Sequence, residues 1–231
     1  IFVMQFIWYT FLYNPILNLL LFLQNILPGH DLGIAIIILT LIIRFIILPP
    51  SIKAARSQRK MKSITPEIAL LRETHKGDQQ ALARAQMELY KQYGVSPLSS
   101  CLPLLIQLPV ILALYAVLQA LLKGIDPTHT YRFINIPEQL NTSFLGIIDL
   151  ARPEVIVLPF LAGISQYVLG KMTMPTTQGS AQEQMISKQM IYVLPVMTIL
   201  FAMKFPAGLS LYWVVTTLFS LLQQVYVDHE K

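Results

Sequence analysis

Charge is what this chain has least of. Only 13% of its 231 residues are Asp, Glu, Lys or Arg, against 55% that are hydrophobic. A soluble domain carries about 25% charged residues. The shortage therefore excludes an ordinary soluble fold and, with a mean hydropathy of +0.58, points to a polytopic membrane protein. Cysteine is scarcer still. The single Cys101 lies in an apolar run, so neither a disulfide framework nor a cysteine-based metal site is available within one chain, and the redox compartment stays open. His30, His75, His129 and His229 fall in loops or at ends without ligand spacing, and there is no Gly-rich phosphate loop or Ser/His/Asp grouping. The chain therefore reads as a non-enzyme that needs no cofactor and no metal. It begins at Ile1 without a basic n-region or cleavage site, so any targeting segment is expected to lie outside this stretch.

What is present is organised around residues 32–50. From 32 to 48 every residue but Gly33, Thr40 and Arg44 is hydrophobic, and Asp31 is placed to cap a helix that starts at once. Lys53 opens a basic segment and marks the expected water boundary. Arg44 then sits nine residues inside it, roughly 13 Å at about 1.5 Å per residue. Such an arginine costs about 2.5 to 3.5 kcal/mol on insertion scales unless it meets protein, water or a counter-ion. It either snorkels to the surface along its own stem or faces a polar cavity, and its depth favours the cavity.

Taken in order, residues 1–29 are apolar enough for a span, but Asn14-Pro15 interrupts them and suits a helix start. A helix over residues 15–27 is about 20 Å long, short of the ~30 Å hydrocarbon core. It carries Asn14, Asn18 and Asn25 on one side. The expectation is an interfacial amphipathic helix rather than a kinked span. The remaining core, residues 30–231, is expected to cross the bilayer five times, at about 32–52, 100–122, 155–172, 190–203 and 207–227. The fourth crossing is short. Residues 53–95 hold nine of the seventeen Lys and Arg. By the positive-inside rule they are cytoplasmic. Their apolar residues recur at three- and four-residue spacing on either side of a break at residues 74–78, giving a helical hairpin with Asp78 capping the second arm. This hairpin is either a solvated loop that only sets topology or a docking surface for an acidic or RNA-containing partner and for lipid head groups. Three basic residues, Lys123, Arg132 and Arg152, fall in the next loop, which fits the outside. The N-terminus is then outside and the C-terminus cytoplasmic.

Four stretches carry a family resemblance: residues 36–49 (IIILTLIIRFIILP), 96–110 (SPLSSCLPLLIQLPV), 170–175 (GKMTMP) and 205–213 (FPAGLSLYW). Together, with a basic hairpin between the first two, they resemble the YidC/Oxa/Alb membrane protein insertases over essentially the whole chain. The chain is similar to the short bacterial type, since the large extracytoplasmic domain of many Gram-negative members is missing. Where many relatives have glycines this chain has Ser99-Ser100, and where many have Asn it has Thr217.

The resemblance implies an all-α fold: a five-transmembrane-helix bundle enclosing a hydrated groove open to the cytoplasm and to lipid. The family's groove arginine falls on Arg44, and Gln166, Trp213, Thr216 and Thr217 would face the same groove. For the glutamine and threonines the competing role is ordinary interhelical hydrogen bonding, about 0.6 kcal/mol each; for Trp213 it is packing. The implied function is insertion and chaperoning of nascent membrane proteins at the bacterial plasma membrane, with the ribosome, the Sec translocon and membrane lipids as partners and no role for DNA. The rival readings are a channel or secondary transporter for an anionic solute, for which no inverted repeat is visible, and an intramembrane enzyme, for which no nucleophile and base set is present.

Overall fold

The computed structural model describes residues 2–96, 102–137, 140–174, 185 and 187–230. The Ser99-Ser100 turn, Cys101 and most of the polar run after Met174 lie outside the described residues. Nine α-helices account for most of what is described. They are α1 Phe2–Trp8, α2 Asn14–Ile26, α3 Leu32–Ser63, α4 Thr65–Thr74, α5 Gln79–Tyr93, α6 Leu102–Lys123, α7 Val157–Thr173, α8 Leu194–Ala202 and α9 Ala207–His229.

Among the described residues four helical stretches are long and apolar enough to cross a membrane: Met4–Ile26, Leu32–Ser63, Leu105–Lys123 and Ala207–His229. The first corrects the expected helix start at Pro15. Helix runs through Asn14-Pro15 because Tyr9–Tyr13 form a π-helical segment, in which the Asn14 amide reaches back to the Tyr9 carbonyl. A proline ring collides with the carbonyl four residues back in an α-helix; one wider turn relieves that collision. The same device recurs at Gln189–Val193, directly before Leu194-Pro195. At this second site it carries the 14-residue apolar stretch Gln189–Ala202 past its proline. That stretch and the 17-residue α7 are shorter than these four, about 21 and 26 Å at ~1.5 Å per residue.

Helix α3 does not stop at the expected boundary near residue 52. It continues through Pro49 and Pro50 to Ser63. Asp31 caps it, accepting from the Gly33 and Ile34 amides at 2.8 and 3.0 Å. Beyond it α4 and α5 form the hairpin, with the expected break and with Asp78 accepting from Gln80 and Ala81. The hairpin has its own small core of Ile64, Ile68 and Val95. At its root Arg56 grips Glu230 side-on, Nε and Nη2 donating to its two carboxylate oxygens at 2.8 and 2.6 Å. Arg59 meanwhile donates to the carbonyls of Val227 and Glu230, closing the C-terminus of α9.

The opposite end is sealed by backbone. Residues 124–156 contain a two-residue-strand hairpin, β1 Ser143–Phe144 and β2 Ile148–Asp149, which periodicity did not foretell. The carbonyls of Leu150 and Arg152 accept from the Gly208 and Ala207 amides at the start of α9. Glu154 accepts from three amides at the start of α7, and Phe144 packs onto Gly33, where no side chain would fit. Asn18 and Asn25 donate to the His129 and Asn135 carbonyls, and Asn14 meets the His129 ring. The polar side of α2 is thus laid along this loop for most of its length. The main core lies at this end: Leu17, Leu20 and Leu21 of α2, Leu32, Ile36 and Leu39 of α3, Leu114 and Val117 of α6, and Leu211 and Tyr212 of α9 are all nearly inaccessible.

Candidate functional site: a cavity with one charge

Past Tyr212 and toward the hairpin, the same helices part. A cavity of about 290 Å³ opens between the far halves of α3, α6, α7 and α9 and the segment at Met190 and Leu194. Its polar lining comes from residues one or two helical turns apart. Arg44, Ser51 and Gln58 come from α3, Gln107 from α6, Gln166 and Thr173 from α7, and Thr216, Thr217, Ser220, Gln223 and Gln224 from α9. Apolar walls are supplied by Leu108, Ile111, Leu169 and Trp213 among others. Among the described lining residues Arg44 is the one charge and there is no carboxylate. The arrangement can hold a polar or anionic segment by amide and hydroxyl contacts, and it offers no group set for bond making or breaking.

All five residues singled out from the sequence line this cavity. They are not equivalent. Arg44 is half-buried and fixed: Nη2 donates to the Thr216 carbonyl at 2.7 Å and to Ser220 Oγ. Its guanidinium carbon also lies 5.3 Å from the centre of the Phe219 ring. Its buried Nε has no hydrogen-bond partner among the described residues. The arginine is therefore held by α9 rather than by Gln166, with its Nε–H left without an acceptor among the described residues. Thr217 turns its hydroxyl back to the Trp213 carbonyl at 2.9 Å, which is an ordinary intrahelical bond.

The floor of the cavity is a contact the sequence reading passed over. Gln107 Nε2 donates to the Tyr212 hydroxyl at 2.6 Å, joining α6 to α9 where the core ends. Near the rim Ser51 donates to Gln223 at 2.8 Å. Both glutamines were visible as polar residues in apolar helices. The run Thr216, Thr217, Ser220, Gln223, Gln224, at three- and four-residue spacing on α9, is the signal that finds Gln223.

Comparison with known proteins adds the following. Residues 22–231 match the model of the family described as 60Kd inner membrane protein. The chain is 36% identical over 225 residues to the membrane protein insertase YidC 1 of Halalkalibacterium halodurans, covering 96% of this chain and 79% of that protein. With the membrane protein insertase YidC of Fusobacterium nucleatum it shares 35% over 221 residues, 94% of this chain and 97% of that protein. With the one of Geobacter sulfurreducens it shares 34% over 222 residues, 96% of this chain but 38% of that longer protein.

Proposed function

The chain belongs to the 60Kd inner membrane protein family, that of the YidC membrane protein insertases, and from this premise we propose that its cavity is where client segments enter the bilayer. The observation that carries the reading is a single positive charge, without a carboxylate, in a cavity lined by amides and hydroxyls and floored by an apolar core. Moving a polar, often acidic, client segment through hydrocarbon is the costly part of insertion. A hydrated cavity reaching to mid-depth shortens that path, and Arg44 attracts a carboxylate more strongly there than in bulk water. The client's apolar helix then leaves sideways into lipid. Burial of apolar surface drives this at ~25 cal/mol per Å², and the membrane potential adds about 2.3 kcal/mol per charge per 100 mV for an acidic segment moving outward. No covalent step or nucleotide is required.

The frame we propose is a five-span core in the bacterial plasma membrane, with the hairpin and C-terminus cytoplasmic, and α2 lying in the outer interface. The lysine and arginine bias of the hairpin supports the orientation. Contacts from Asn14, Asn18 and Asn25 to one loop support a helix lying along that loop rather than one that meets it only at its tip. The basic hairpin receives clients from the ribosome, alone or beside the Sec translocon, and the same cavity shelters their helices while they fold. The sealed end argues against a channel for an anionic solute, which needs a path through the residues packed around Tyr212.

The test is reconstitution in liposomes. Insertion of a short client with an acidic translocated segment, with no flux of small anions, is the expected result. Anion flux without insertion would replace this reading by the transporter.

A further inference from the structure

The β1–β2 hairpin turns through Leu145-Gly146, with the Ile147 amide donating to the Phe144 carbonyl at 3.0 Å. Both central residues have positive φ, +52° at Leu145 and +70° at Gly146. Such a turn, here within the three-residue loop between the paired Phe144 and Ile148, favours Asn or Asp before its Gly, because a branched apolar side chain is disfavoured in the left-handed region. Leucine stands there nonetheless, its amide held by Asp31 Oδ2 at 2.7 Å. Its side chain is not buried in return: Leu145 is 61% exposed and Ile147 is 82% exposed. The hairpin is seated on the first turn of α3, with Phe144 against Gly33. The tip therefore lies beside the first turn of α3.

The same level carries more uncovered apolar surface. Asn25 holds the Asn135 carbonyl at 2.8 Å, and the neighbours of these two residues, Ile26 and Ile136, are exposed, as is Phe133. On the side of α7 the exposed run of Val155, Ile156 and Val157 continues directly into the lipid-type face of Phe160 and Leu161. Apolar groups that extend a lipid-facing surface at the boundary of a span fit lipid and not a soluble partner.

We propose that the Leu145–Ile147 tip is a membrane-contact finger that dips into the lipid interface beside the start of α3 and fixes the depth of the sealed end. The inference rests on the membrane-spanning reading given above. It is tested with a polarity-sensitive fluorophore on single cysteines in a Cys101→Ser background, reconstituted in phosphatidylethanolamine/phosphatidylglycerol vesicles. The sites are Leu145→Cys, Ile147→Cys, the lipid-facing control Leu161→Cys and the water-facing control Lys76→Cys.

The expected result is that labels at 145 and 147 are quenched at least twofold more by a shallow lipid-borne nitroxide than by aqueous iodide, as at 161, with the reverse at 76. Leu145→Asn supplies the residue the turn prefers. It should keep or raise the melting temperature while shifting the label at 147 toward iodide. A tip that behaves like position 76 while 161 is lipid-quenched overturns the finger alone. Iodide quenching at 161 as well overturns the membrane reading, and the finger with it. A 147 label that ignores Leu145→Asn reduces Leu145 to a turn residue.

Discussion

Arg44 Nη2 lies 2.7 Å from the carbonyl oxygen of Thr216, so the one charge of the described cavity lining is tied to the backbone of a second helix. That carbonyl does not depend on the arginine, because Ser220 Oγ also donates to it at 3.0 Å. Removing Arg44 therefore strands little and frees a buried cation-sized volume for water.

Arg44→Ala is accordingly expected to accumulate normally and to lose at most about 1 kcal/mol of stability, because the two hydrogen bonds to Thr216 and Ser220 that it gives up are offset by the released cost of desolvating the guanidinium. It should insert acidic clients poorly while leaving neutral ones much less affected. Arg44→Lys should keep most activity, since an ammonium retains the charge and can still reach the Thr216 carbonyl. Thermal melts in detergent alongside liposome insertion of matched acidic and neutral clients decide this. Equal losses for both clients with a clearly lowered melting temperature would return Arg44 to a purely structural role.

Gly163 on α7 faces α8. A Cβ there would meet the Ile199 side chain and lie 3.2 Å from the Pro195 carbonyl. The clash is with Ile199 Cγ1, close to the backbone of a β-branched residue held to one helix rotamer, so neither it nor the backbone oxygen yields cheaply. Gly163→Ala should therefore cost about 1 to 3 kcal/mol, and Gly163→Val more, by forcing the helices apart. Chemical denaturation in mixed micelles would measure both, and equal stability of the two variants would count against this packing.

Glu154 caps α7, accepting from the Ile156, Val157 and Leu158 amides at 2.7 to 2.8 Å. Partial burial raises its pKa, but these donors outweigh it and hold the carboxyl below the ordinary glutamate value. The folded pKa is thus the lower one. The stabilisation is complete above the ordinary value of about 4.3 and is lost as pH falls below it, through the folded pKa. Glu154→Gln should flatten the acid limb of a pH–stability curve and cost about 1 kcal/mol at pH 7, as lost caps do. An unchanged acid limb would mean that the cap carries no linkage.

The basic hairpin is held to the bundle at its root, by Arg56 and Arg59 on the end of α9, and beyond Ser63 it packs on itself. Replacing residues 65–93 by a short Gly/Ser linker should leave the melting temperature of the bundle unchanged within a few degrees while lowering client insertion. A deletion that also removes Arg56 and Arg59 should in addition loosen the end of α9. Hydrogen exchange at residues 224–229 would read this, and unaltered protection there would contradict it.

How much of this was legible in the sequence follows from where each signal comes from. Arg44 stood out because a lone charge in an apolar run has few physical explanations, and Asp31 and Asp78 because a cap is a local event. The start of the first helix was misplaced because Pro15 reads as a boundary unless the preceding turn widens. The apolar sequence of residues 9–13 gives no sign that it does. The β-hairpin was invisible for another reason. Two-residue strands have no period to detect, and the unusual Leu-Gly turn lacks the Asn or Asp that announces one. Gln107 escaped because its partner, the Tyr212 hydroxyl, is 105 positions away, and pairing at that range is decided by packing rather than by local pattern.

The two ends of the bundle also differ in how they resist bending. At the loop end the starts of α3, α7 and α9 are gripped by short backbone and carboxylate bonds, while at the hairpin end α3 and α9 are joined by long side chains at the water boundary. Mechanically this is a set of beams clamped at one end, whose compliance grows with distance from the clamp. Pro49 and Pro50, each lacking an amide hydrogen, add a soft point to the α3 beam just beyond Arg44. On that account the cavity yields more easily at its mouth than at its floor.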